Sequence, residues 1–534
     1  MDTRRLLRAT PAVLTAVALL TMSACSSGTS KGSGEPEGAP SSASSDRAAG
    51  NTSAAPLEPL PATVPAGLKR YYEQKLTWRD CGDGGFQCAT MKAPLDYGHP
   101  DPAKDLDLAV ARKKAAGNGK PLGSLQVNPG GPGGSAIDYV QQAAGVGYPA
   151  PVRNRYDIVG LDPRGVASSE PVECLTDKQM DAYTKTDQTP DDQREVGQLV
   201  SAYKRFAAGC KKRTGDLLGH VSTIDAARDM DVLRGVLGDK KLDYVGASYG
   251  TYLGAVYAGL YPRRTGRLVL DGAMDPSLSM LQLNRDQTGG FETAFQSFAK
   301  DCVAKSGCPL GTTSAKDASR RMSAFFKKLD AKPLPTGDPR KLTESLATTG
   351  VIRAMYDESS WPQLRDALTS AKKGDGAQLL ALADDYYERD PSGRYGNIMF
   401  ANPAVNCLDL PPAFSSPADV KKALPSFEKA SPVFGQGFAW AALNCGYWSH
   451  KPTGRPHRIS AEGAAPILVV GTTRDPATPY AWAQSLAGQL SSARLLTYEG
   501  DGHTAYLRGG SCINDTVDTY LLKGKAPKKD KRCS

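Results

Sequence analysis

Histidine is scarce in this chain, with five in 534 residues. None of the 11 cysteines sits in a Cys-x-x-Cys pair. The spacing that grips a structural zinc is therefore missing, and so few imidazoles make a metal enzyme unexpected. No cofactor of any kind is expected. The apolar run from Ala12 to Met22 falls short of the roughly 20 residues that a membrane-spanning helix needs. Positive charge is less abundant than the net +9 implies. Arg4, Arg5 and Arg8 against Asp2 place +2 in the first 24 residues, and six basic residues against Asp530 place +5 between Lys523 and Arg532. The rest carries about +2, too little for the basic face that nucleic-acid binding demands. Internal repeats are absent.

What is present fits an exported globular protein. Hydrophobic residues make up 40% and charged residues 23%, as in a soluble folded body rather than a disordered or membrane chain. The basic start, the apolar run and Met22-Ser23-Ala24-Cys25 read as a signal peptide over residues 1–24. Its end resembles a bacterial lipobox, so Cys25 is the expected lipidation site and membrane anchor, with ordinary secretion as the alternative. The ten cysteines left besides Cys25 suit five bridges in an oxidising compartment. Neighbours suggest Cys81–Cys88, Cys174–Cys210, Cys302–Cys308, Cys407–Cys445 and Cys512–Cys533. From Ser26 to about Pro61 the chain is rich in Ser, Gly, Ala, Pro and Thr. Residues 25–67 are accordingly expected to be a flexible tether or propeptide, with order starting near Leu68.

The body alternates short apolar strands with helices, the pattern of a mostly parallel, doubly wound α/β sheet. Strands are expected at Phe86–Met91, Leu106–Ala111, Ser124–Val127, Tyr156–Leu161, Leu242–Val245 and Arg267–Leu270. A helix is expected over Thr223–Leu237, with Thr223 as its cap. From about residue 276 to 460 the rhythm turns helical, at Phe291–Ala304, Ser319–Leu329, Val351–Ala354, Trp361–Ala371 and Gln378–Tyr387. So long a stretch is no simple connection, and reads as an inserted helical cap. Residues 68–275 and 461–534 form the two parts of the core. The second part brings a buried strand at Pro466–Gly471, a helix at Trp482–Leu490 and a strand at Ala493–Thr497.

Lys241–Thr251 reads as a strand running through Gly246-Ala-Ser-Tyr-Gly250 into a helix. That context suggests a nucleophile elbow, a strained turn that lifts Ser248 clear of the backbone. Gly28-Thr-Ser-Lys-Gly32 fits the same pattern inside the tether, so only the strand–helix context carries weight. A hydroxyl needs a general base, and the base needs a carboxylate to fix its tautomer. Asp475 and His503 both follow buried strands and complete the order Ser, Asp, His of the α/β-hydrolase fold. Asp271, which follows an earlier strand, is the serious rival to Asp475; Asp501 lies too close in sequence to His503. Two backbone donors are needed for an oxyanion hole. Tyr249 supplies one N–H, and Gly131, in the loop Asn128-Pro-Gly-Gly-Pro-Gly-Gly-Ser135, the other. Arg164 and Thr478 are read as braces for loops.

Pro129-Gly-Gly-Pro-Gly133 resembles the His-Gly-Gly-Pro-Gly loop of prolyl iminopeptidases, with Pro129 in place of the histidine. Asp162-Pro-Arg-Gly165, Gly246–Gly250, Asp475-Pro-Ala-Thr-Pro479 and Gly502-His503 continue the match. With the lipobox and the cysteines, the chain from about Leu76 to Cys533 resembles the secreted actinobacterial tripeptidyl aminopeptidases. That resemblance implies an α/β-hydrolase serine exopeptidase that releases tripeptides from the free N-terminus of peptides through an acyl-enzyme. The missing histidine argues against a strict proline iminopeptidase. Other readings are an esterase or lipase on the same triad, or a surface binding lipoprotein that has lost catalysis. Exopeptidase specificity needs a cap anion to hold the substrate ammonium. Asp409 is the chosen residue, because a bridge at Cys407 would hold it rigidly; Asp384, Asp385 and Glu388 are further candidates.

Overall fold

The structure is a computed structural model of the chain, and residues 53–534 are described. The signal peptide, Cys25 and most of the tether lie outside them. Twelve strands occur among the described residues: β1 (Ala55–Pro56), β2 (Arg79–Asp80), β3 (Phe86–Pro94), β4 (Asp105–Lys113), β5 (Gly123–Asn128) and β6 (Tyr156–Leu161), then β7 (Leu242–Ala247), β8 (Thr265–Asp271), β9 (His457–Arg458), β10 (Ile467–Arg474), β11 (Ala493–Asp501) and β12 (Lys531–Cys533). Ten of them build one sheet in the order β12-β11-β10-β8-β7-β5-β6-β4-β3-β2. Pairing is parallel from β12 across to β6 and antiparallel from there to β2. This is the α/β-hydrolase architecture, and every strand expected from the sequence is part of the sheet.

Burial on both faces explains the near-continuous apolar run of β10. Ile467 and Val469 join the core on one face, with Leu268, Leu270 and Tyr244. Leu468 and Val470 join Val245, Val269 and Leu496 on the other, under Ile513, Val517 and Leu521 of the helix Gly510–Lys523. The elbow helix Tyr249–Leu260 is buried all round, as its apolar composition requires.

The insertion between β8 and β10 carries helices from Met280–Val303 to Gly435–Ala441. Helix Gln193–Thr214, which precedes the elbow, joins them: its Val196, Leu199 and Tyr203 pack with Phe414, Phe427 and Trp440. The cap layer therefore draws on residues that the sequence reading gave to the core. All ten described cysteines pair as expected, in five bridges.

Two local expectations need correction. Order begins before Leu68: β1 pairs with β9, and the Leu57 and Leu60 N–H groups donate to Arg458 and Leu260 carbonyls at 2.8 and 2.9 Å. Two leucines in a polar stretch were the overlooked anchor. The helix Thr223–Val236 is capped by Ser222, whose side chain accepts from the Asp225 N–H; Thr223 is engaged elsewhere. The basic tail also takes part in the fold. β12 adds to the sheet edge beside β11, held by Cys512–Cys533 and by Arg532 on Glu499 at 2.9 Å.

Candidate active site

Ser248 stands between β7 and the helix Tyr249–Leu260 with φ 56° and ψ −125°. That region is costly for a residue with a Cβ and is held only where the surroundings insist. Two contacts insist here. The Ser248 N–H donates to the Asp271 carbonyl at 2.9 Å, and the Thr251 N–H returns to the Ser248 carbonyl at 2.8 Å. The glycine loop passes directly over the turn. Gly130 has φ 99°, and a Cβ there would lie 2.8 Å from the Ser248 Cβ and 3.0 Å from the Tyr249 nitrogen. Only glycine lets the loop approach so closely.

His503 follows β11 and lies close to the elbow: a Cβ on Gly272, next to Asp271, would be 3.2 Å from the His503 Cε1. Its Nδ1 lies 2.9 Å from both Asp475 oxygens. Asp475 is fully buried, and His503 is 12% exposed. The N–H groups of Ala477, Thr478 and Thr504 also donate to Asp475, at 2.9, 2.8 and 3.2 Å. Burial pushes the imidazolium down. The charge and hydrogen bond of Asp475, with the charge of Asp271, outweigh it and raise the His503 pKa above its usual value. Its Nε2 is buried with no hydrogen-bond partner among the described residues, so the Ser248–His503 link is open here; catalytic hydrogen bonds often close only once substrate is bound.

The rivals are otherwise employed. Asp271 accepts from the Ala505 and Tyr506 N–H groups at 2.8 to 3.1 Å, and burial raises its carboxyl to about 6. It fixes the loop after His503, not the ring. Asp501 is held by Arg474 at 2.7 and 2.8 Å. His99, His220 and His450 share a separate pocket, and the Nδ1 of His457 lies 2.8 Å from the Arg455 carbonyl. Arg164 is a brace as expected, buried on Asp229 at 2.7 and 2.8 Å. So is Thr478, whose N–H donates to Asp475.

Neither Gly131 nor Tyr249 donates its N–H to an acceptor among the described residues. Both are free to face a developing oxyanion. Gly131 lines a cleft of about 660 Å³, with Ser135, Asp138 and Tyr139 on the core side and Glu388, Asn397 and Ile398 on the cap side.

Asp409 takes a different place from the one expected. It is buried, and its two oxygens accept from the N–H and hydroxyl of Thr223 at 2.8 and 2.5 Å. The Thr223 hydroxyl also lies 2.5 Å from the Tyr249 hydroxyl. Asp409 thus ties a cap helix to the core beneath the elbow, and burial raises its carboxyl to about 7. Asp384 and Asp385 are ion-paired with Arg340 and Arg353.

One site residue escaped the sequence reading. Tyr356, on the cap, accepts the His503 N–H on its carbonyl at 2.8 Å. Its ring stands edge-on to the imidazole with centroids 5.6 Å apart. Nothing in Met355-Tyr356-Asp357 signals this, because the contact is made by a backbone carbonyl across a long insertion. One carboxylate trio outside this site, Asp187, Asp330 and Glu344, brings its oxygens within 4.8 Å of one another.

Elbow, glycine loop, histidine and buried acid on this sheet define a serine hydrolase of the α/β-hydrolase class. The model of TAP-like proteins matches residues 431–533. A Mycobacterium tuberculosis protein named serine protease Hip1 is 38% identical over 498 residues, covering 88% of this chain and 94% of that one. The tripeptidyl aminopeptidase of Streptomyces lividans is 33% identical over 488 residues, covering 86% of each. A further M. tuberculosis protein, named carboxylesterase B, is 37% identical over 454 residues and covers 84% of this chain. The chain belongs to this TAP-like family of serine hydrolases.

Proposed function

We propose that the protein is an extracytoplasmic serine exopeptidase that releases tripeptides from the free N-terminus of peptides. Ser248 Oγ attacks the scissile carbonyl while His503 Nε2 takes its proton. Asp475 stabilises the resulting imidazolium through Nδ1, and the N–H groups of Gly131 and Tyr249 hold the oxyanion. His503 then gives the proton to the leaving amine, whose C–N bond breaks, and Ser248 keeps the acyl group. Water, deprotonated by His503, attacks that ester and frees the tripeptide acid and the serine hydroxyl.

The observation that carries this reading is the His503–Asp475 pair, with Nε2 buried and without a hydrogen-bond partner among the described residues, on the same sheet that sets Ser248 on a strained strand-to-helix turn. The names of two relatives support a peptidase. Five disulfides support an oxidising compartment, and Cys25 remains the proposed anchor. No described helix is long and apolar enough to cross a membrane.

An esterase is the second reading, favoured by the relative named carboxylesterase B. A matched panel separates the two: a free-amine tripeptide anilide, its N-acetyl twin, a single-proline anilide and a short acyl ester. Turnover of the free tripeptide far above its acetylated twin is expected. Ester turnover with indifference to acetylation of the anilide would replace the peptidase by an esterase.

A further inference from the structure

The loop that carries His503, residues 501–508, is not a relaxed turn. Gly502, Thr504 and Leu507 have φ of 88°, 67° and 74°, and for the last two, which bear a Cβ, that region is costly. Its N–H groups are held by acids and an amide: Thr504 donates to Asp475, Ala505 and Tyr506 to Asp271, and Leu507 to the Asn514 side chain at 2.8 Å. Three of its carbonyls are taken by Arg508. One guanidinium nitrogen donates to the His503 and Thr504 carbonyls at 3.1 and 3.0 Å, and another to the Asp501 carbonyl at 3.4 Å. A single side chain thus grips the backbone on both sides of the histidine.

Arg508 fits there because residue 502 is glycine: a Cβ on Gly502 would lie 2.9 Å from the guanidinium carbon. The same guanidinium reaches the cap, where the Asp357 carboxylate lies 3.6 Å away. Asp357 follows Tyr356, whose carbonyl accepts the His503 N–H at 2.8 Å. Cap and arginine therefore hold one residue, the first by its N–H and the second by its C=O. The charges acting on the ring are those of Asp475 and Asp271, which favour the imidazolium, and of Arg508, which opposes it; the Tyr356 ring stands edge-on to it. A planar fork can serve several carbonyls at once in fixed directions, which the compact ammonium of a lysine cannot.

Resting on the reading above in which His503 is the general base, we propose that Arg508 is the positioning residue that sets His503 for catalysis, and that Asp357 ties this setting to the cap. Arg508 acts through the backbone of residues 501–504 and not on substrate. A reacting group displaced by about 1 Å can cost on the order of a hundredfold in rate, so the loss of this anchor is read in kcat rather than KM.

The test compares wild type with Arg508→Lys, Arg508→Gln, Asp357→Lys and His503→Ala on a free-amine tripeptide anilide and a short acyl ester. Rates are expressed per folded chain, with the folded fraction read by circular dichroism. In Arg508→Lys kcat should fall roughly 10- to 100-fold on both substrates, with KM within about threefold of wild type. The acid limb of kcat/KM should keep its place in Arg508→Lys, which retains the charge. It should move to higher pH in Arg508→Gln, which loses a cation that disfavours the imidazolium. A residue that only stiffened the fold would move neither quantity. Wild-type kcat in Arg508→Lys, or an unmoved limb in Arg508→Gln, overturns the proposal. If neither Arg508 variant folds, Asp357→Lys decides: it sets a cation against the guanidinium, kcat should fall roughly fivefold, and wild-type kcat overturns the proposal. Normal turnover in His503→Ala overturns the reading of His503 as base instead, which keeps the two failures apart.

Discussion

Replacing Asp475 by asparagine leaves size and burial unchanged but exchanges an acceptor for an amide that can donate. His503 Nδ1 lies 2.9 Å from both oxygens, so the ring must turn an acceptor toward the new amide and carry its proton on Nε2. A protonated Nε2 cannot take the Ser248 proton. Loss of the carboxylate charge also removes what stabilises the imidazolium. A related change in a serine protease lowers kcat about 10⁴-fold, or about 5 kcal/mol, and a loss of that order is expected here. Asp271→Asn is the matched control. Asp271 holds the Ala505 and Tyr506 N–H groups, and weakening these charge-assisted bonds should cost roughly 1–3 kcal/mol of stability. Turnover should stay within about tenfold of wild type, because the ring keeps its partner. Steady-state kinetics on the free tripeptide anilide, with urea unfolding of both variants, reads the two effects separately. Near-normal turnover in Asp475→Asn, with collapse in Asp271→Asn, would refute the assignment and make Asp271 the acid.

The pH profile follows from the raised pKa of His503. The base must be neutral, so kcat/KM should fall as pH drops through a value above the usual 6.5; a limb at or below 6.5 would show that Asp475 is not its charged partner. Gly130→Ala would place a Cβ 2.8 Å from that of Ser248, so turnover should drop at least a hundredfold with the disulfide-bonded body still folded by circular dichroism. Asp409, raised from 3.8 to about 7 by burial, binds a proton in the folded state that the unfolded chain has lost. Its contribution to stability is therefore present at low pH and declines as pH rises through that window. Between pH 5 and 8 the decline is about 2–3 kcal/mol, and urea unfolding of Asp409→Asn should show a pH dependence smaller by that amount. Identical pH dependence in the two proteins would exclude a buried, proton-linked Asp409.

The strands were legible because they are short and apolar and end in turn residues, as at Ile467–Gly471 and Leu242–Gly246. The candidate triad was legible because each member follows such a strand in the order the fold demands. The cap was harder. Helices Ile398–Asp409 and Pro417–Ala430 contain Pro403 and Pro425, which read as breaks. The long helix Gln193–Thr214 offers so many charges that its apolar stripe did not stand out. Asp409 failed as an ammonium anchor for a reason no spacing reveals: Thr223, distant in sequence, takes up both of its oxygens.

The central claim is that Ser248 is a nucleophile activated by His503. Incubation of the folded body with a fluorophosphonate, followed by intact-mass and peptide mapping, addresses it directly. One probe per chain on Ser248 is expected, with none on Ser248→Ala and labelling slowed by orders of magnitude in His503→Ala. An unlabelled Ser248 in folded protein, or a label on another residue, would contradict it.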